Sequence, residues 1–99
     1  MQLDIHFDAR LNAAYVVIGL LYGDKDFFKT MDIATRCGQD SDCNPASAAG
    51  VLGVMYGYSG IPDYWKPALE EAEGLKFPYM DITLNDVYAL TYKHTLELI

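Results

Sequence analysis

Asp40 and Asp42 stand two positions apart in the run Gly38-Gln39-Asp40-Ser41-Asp42-Cys43-Asn44, the stretch of this 99-residue chain best equipped for chemistry. In a non-helical stretch, side chains at i and i+2 point the same way, so both carboxylates can reach one ion. Oxygen donors suit a hard cation such as Mg²⁺ or Ca²⁺ better than zinc. The order Asp-x-Asp-x-Asn imitates a calcium loop, but Pro45 stands where that loop needs glycine and Val51 where it needs a bidentate glutamate. Asn44 and Pro45 read as a helix cap and first helical residue, and the N–H groups exposed at a helix start favour phosphate or another anion. A cation and a phosphate can share this corner. The plainer alternative is that short Asp and Asn side chains hold the turn and cap the helix without any ligand.

Elements on both sides must position that run. Leu11 to Tyr22 carries Leu11, Ala14, Tyr15, Ile18 and Leu21 at helical spacing, with Ala13, Val16, Val17 and Leu20 on the other sides. A helix apolar nearly all round is expected to be covered, with Gly23 as its stop. Asp24 or Asp26 can cap a second, amphipathic helix that turns Phe27, Phe28, Met31, Ala34 and Cys37 inward and ends at Gly38. A third helix is predicted from Pro45 to about Tyr58. Its Gly50, Gly53 and Gly57 each cost about 0.8 to 1 kcal/mol in helix propensity, which leads to the expectation of a close-packing surface.

Beyond Ile61-Pro62, Pro67 opens a brief helix that Gly74 closes, and Lys76 to Ile82 reads as an extended connector. Thr83 and Asp86 resemble a capping box ahead of a last helix through Leu84, Val87, Leu90, His94 and Leu98. No segment alternates with period two long enough to demand a sheet, so the fold class is all-α, a compact multi-helix bundle.

Composition narrows the function classes. Fourteen acids against seven bases give a net charge of −7, and no cluster of Lys and Arg offers a grip on nucleic acid or anionic membrane. The longest uncharged runs are too short, or too rich in Gly and Ser, for a membrane span of about 20 apolar residues. Two cysteines in an ordinary composition read as a reduced pair, and the first residues carry no secretory pattern, so a cytoplasmic location is expected. The hydrophobic share, 52%, exceeds what a small independent domain can hide. An interface along Leu11 to Tyr22, as in a homodimer, is the corresponding expectation. Tyr58, Tyr64 and Trp65 read as an aromatic lid over a core in preference to an adenine platform. Arg36 can pair with Asp32 at helical spacing or reach a phosphate, Cys37 reads as a small buried hydrophobe, and neither His6 nor His94 has a visible partner.

The run from Gly38 to Ala46, continued through Ala49-Gly50, Gly53, Gly57 and Gly60 to Ile61-Pro62 and Trp65, resembles the second-half signature of ADP-ribosylglycohydrolase-like proteins. The resemblance spans roughly residues 12 to 66 and implies an all-α hydrolase fold with a pair of Mg²⁺ ions. It further implies cleavage of the N- or O-glycosidic bond to ribose in an ADP-ribose-containing small molecule or modified protein. Asp40 and Asp42 fall on the family's metal-binding aspartates, and Cys43, the third residue of the implied metal site, falls where the pattern has threonine. Gly38, Gln39 and Asn44 become substrate neighbours. The acidic motif of the family's first half has no counterpart in Asp4 to Asp8 or in Asp24-Lys25-Asp26. The expectation is a single C-terminal fragment over residues 1–99, with motif-bearing helices at 10–66 and a helical extension at 67–99, that by itself turns over nothing. A general base is not identifiable among these residues.

Overall fold

A computed structural model describes residues 8–99, so His6 and Asp4, weighed above, lie outside the described residues. Two compact units divide between Pro62 and Asp63. All regular structure among the described residues is helical apart from one isolated bridge, Lys76 to Thr83. No helix there is long and apolar enough to cross a membrane.

The first unit is built from α1 (Ala9–Tyr22), α2 (Phe27–Arg36) and α3 (Cys43–Tyr56), each packed against the other two. Asp8 starts α1 by accepting from the N–H groups of Arg10 and Leu11, and Asp26 starts α2 by accepting from Lys29 N–H at 2.7 Å. Satisfying those first N–H groups is what a helix start requires. Phe27, Ala34, Ala48 and Leu52 form the core, joined by two polar residues, Thr30 and Asn44. The buried stripe of α2 therefore runs through 27, 30 and 34. Phe28, expected inside, is 68% exposed, and Cys37 is half-buried at the helix end.

Close packing occurs on a different helix from the one the sequence pointed to. A Cβ at Gly19 would stand 2.9 Å from the Thr30 carbonyl oxygen and 3.1 Å from Ala34 Cβ. One at Gly23 would stand 2.6 Å from the Gly19 carbonyl oxygen and 2.7 Å from Thr30 Cα. With φ of −83°, Gly23 is not a left-handed stop; it is glycine because α2 leaves no room for a side chain. On α3, by contrast, nothing approaches Gly50 within 4 Å, and Gly53 meets only Ile61 Cδ1 at 4.0 Å. Gly57 lies past the end of α3 at φ +75°, a conformation that favours glycine over any side chain with Cβ.

α3 also begins two residues earlier than expected. Asp42 occupies the cap and accepts from Cys43 N–H at 3.0 Å, so Asn44 is inside the first turn. Pro45 is tolerated as the third residue because N–H groups of the first turn have no acceptor within the helix. Along α1 only Gly19 is buried, while Leu11, Val17, Leu21 and Tyr22 stay exposed. The all-round cover expected for this helix is not present among the described residues.

The second unit comprises a 3-10 turn at Asp63–Trp65, α4 (Pro67–Ala72) and α5 (Leu84–Leu98). The capping box forms as expected: Thr83 Oγ1 accepts from Asp86 N–H at 3.2 Å and Asp86 Oδ2 accepts from Thr83 N–H at 2.9 Å. The 76–82 segment is not an extended connector. It folds back so that Phe77 N–H donates to Ile82 O at 2.9 Å, with Tyr79 at φ +64° and an ion pair between Lys76 and Asp81. Asn85 N–H donates to Glu73 O at 3.3 Å, tying the start of α5 to the end of α4. Tyr64 and Trp65 meet edge to face at 4.7 Å, but both are exposed, so they are no lid over a core.

Candidate functional site

The acidic loop leaves α2 through two residues in the left-handed region, Gly38 at φ +87° and Gln39 at φ +59°. Glycine takes that conformation without cost and Gln39 must be held in it. Holding comes from below: the Gln39 side-chain amide donates to Tyr15 Oη at 3.3 Å, and Ser41 N–H donates to Gln39 O at 2.8 Å. Ser41 Oγ then ties the loop to the last turn of α2 by donating to Thr35 O at 3.0 Å. After these bonds the chain enters α3, where Asn44 N–H donates to Asp40 O at 3.0 Å.

The result is convergence. One ligand atom each from Asp40, Asp42 and Cys43 lies within 4.8 Å of the other two. Asp40 is half-buried, while Asp42 and Cys43 are exposed. Asp42 is held below its ordinary pKa, first by its hydrogen bond with the Asp40 side chain and then by the N–H groups of Asp42 and Cys43. The Cys43 thiol is raised, first by its hydrogen bond to Asp40 and then by the charges of Asp40 and Asp42. Like charges at this range repel, and a cation between the two carboxylates would relieve that repulsion. The donor set fits a hard divalent ion through the two carboxylates. It fits poorly through Cys43, because a soft thiol that keeps its proton is a weak partner for such an ion.

The remaining sequence-predicted residues serve the loop from beneath. Gly38 contributes backbone alone. The Gln39 side chain is turned to α1, with Oε1 buried and unpartnered among the described residues. Asn44 is 4% exposed, and its Nδ2 donates to Asn12 Oδ1 at 2.9 Å, so it neither caps α3 nor faces solvent. Arg36 pairs with Asp32 at 3.0 Å, the structural of its two expected roles. Asn12 and Tyr15 were missed as contributors. The available signal was Asn12 itself, a polar residue inside an otherwise apolar helix.

The family model for ADP-ribosylglycohydrolase matches residues 6–95 of the chain. Comparison with curated proteins returns no match, and comparison with solved structures returns none. The match takes in the acidic loop, α1 to α4 and most of α5, and the chain belongs to the ADP-ribosylglycohydrolase family.

Proposed function

We propose that this chain is part of a Mg²⁺-assisted hydrolase that cleaves the glycosidic bond of ADP-ribosylated or related ribosyl substrates. The observation that carries the reading is the convergence of Asp40 and Asp42 on one point, in a chain matched to this family over nearly its whole length. Asp40 and Asp42 are the ligands. Cys43, in the third position, keeps its proton and acts as a hydrogen-bond donor to Asp40. Bound there, Mg²⁺ supplies orientation of ribose hydroxyls and water, and stabilises charge as the bond breaks.

Gly38 and Gln39 contribute through the shape they give the loop, and Asn44 through the loop it anchors. Hydrolysis also requires a general base. We place it with a second acidic motif outside this chain, so that residues 1–99 are a C-terminal fragment without turnover of their own. A cytoplasmic location accords with two free thiols, Cys37 and Cys43.

Calorimetry tests the reading: Mg²⁺-dependent binding of ADP-ribose to the full-length parent is expected, with loss in Asp40→Ala and in Asp42→Ala. Binding that ignores both substitutions, or the absence of binding in the unsubstituted parent, rejects it. A second reading, a catalytically inactive helical module for assembly, is favoured by the exposed Leu11, Val17, Leu21 and Tyr22 of α1. It predicts a homodimer through that face, which light scattering on Val17→Glu and the unsubstituted chain would resolve.

A further inference from the structure

Asn12 sits where three parts of the first unit meet. Its Oδ1 accepts from two donors, Asn44 Nδ2 at 2.9 Å and Asp40 N–H at 3.4 Å, while its own Nδ2 donates to Asp8 O at 3.0 Å. One side chain on the first turn of α1 therefore holds the backbone of a candidate ligand residue and the first turn of α3 at once. Asn44 is buried, so without Asn12 its Nδ2 would lose a partner away from water, and such a group costs more than an ordinary hydrogen bond is worth. No such requirement falls on the exposed residues around it on α1.

From this geometry we infer that Asn12 is a positioning residue for the acidic loop: it fixes the Asp40 backbone, through Oδ1, in the place from which its carboxylate can share an ion with Asp42. The inference rests on the proposed cation role of Asp40 and Asp42. Residues that orient ligands from behind typically change metal affinity by about 10- to 100-fold when removed, and a single shared acceptor falls at the lower end of that range. Asn12 is joined to the loop by hydrogen bonds and is not among the converging ligand residues.

The test is Mg²⁺ titration of the chain followed by amide NMR, with the metal alone as probe, on the unsubstituted chain, Asn12→Ala and Gly19→Ala. Gly19→Ala disturbs the packing of α1 on α2 at Thr30 and Ala34 and removes none of the groups that hydrogen-bond the loop. Asn12→Ala is expected to weaken Mg²⁺ about tenfold and to speed exchange of the Asp40 amide, while Gly19→Ala lowers the melting temperature and leaves the affinity within about twofold. Equal affinity in Asn12→Ala and the unsubstituted chain would overturn the inference alone. Equal weakening in Asn12→Ala and Gly19→Ala would reduce Asn12 to general stability and also overturn it. Absence of any Mg²⁺ response at Asp40 and Asp42 in the unsubstituted chain would instead remove the cation reading, and this inference with it.

Discussion

The two units of the chain are held by different means. Residues 8–62 enclose a small core and cross α1 over α2 at backbone distance, with Gly19 and Gly23 laid on Thr30 and Ala34. Residues 63–99 bury no side chain among the described residues and rely on a capping box, a folded-back loop and polar links between α4 and α5. The acidic loop belongs to the first. A candidate ligand pair needs fixed neighbours, and close contact limits motion to the fraction of an ångström that coordination would demand. On α5 of the second unit, Leu90, Tyr92 and Leu98 are exposed.

The largest test of this contrast is at Gly23. Gly23→Ala places Cβ against Thr30 Oγ1 and against two backbone atoms, the Gly19 carbonyl oxygen and Thr30 Cα, and those backbone atoms cannot swing aside. Overpacking of that kind costs about 1 to 3 kcal/mol. The same change at Gly50 meets open space and replaces a poor helix former with the best one, a gain of about 0.8 to 1 kcal/mol. Urea unfolding of both variants should therefore give shifts of opposite sign. Matching signs would mean that the α1–α2 crossing is not the tight contact of this unit.

That pair of glycines also marks how far the sequence could be read. Local signals were legible: Asp26 and the Thr83–Asp86 box sit at the starts they announce, and Gly38 ends α2 at positive φ. Each involves bonds within about four residues, so composition and spacing contain the whole interaction. Which glycine stripe packs was not legible, because propensity says what glycine costs and only the neighbour says what offsets it. Asn44 fails for the same reason. As a cap it is a plausible local reading, but a partner 32 residues away, Asn12, takes its side chain inward. Asp40 and Asp42 could be named from spacing, whereas the support from Asn12, Tyr15 and Thr35 depends on tertiary contact.

In the second unit the greatest single loss is expected at Thr83. Thr83→Ala removes the hydroxyl that accepts from Asp86 N–H, and loss of such a cap costs about 1 kcal/mol. The expected signature is local. Amide exchange should quicken in the first turns of α5 while protection along α2 and α3 stays unchanged. Protection lost equally in α2 would show that the two regions unfold together and would remove the distinction drawn above.

The smallest expected effect is a response to pH, and it concerns the same unit. The Tyr88 phenol lies above its ordinary pKa of about 10, first because of its hydrogen bond with the Glu73 carboxylate, then through desolvation and the Glu73 charge. A raised pKa in the folded state means that the protonated phenol is the form the fold favours. Its contribution is therefore complete below the unfolded value, near 10, and is lost as pH climbs through the higher folded value. Both groups meet at the surface, where solvent screens them, so the increment is small. Helical signal should thus decline first from α5 above pH 10, and Tyr88→Phe should flatten that decline while leaving the core amides of α2 as they were. A decline of equal size in Tyr88→Phe would assign the alkaline sensitivity elsewhere, and would show that polar links at Glu73 and Tyr88 do not hold α4 to α5.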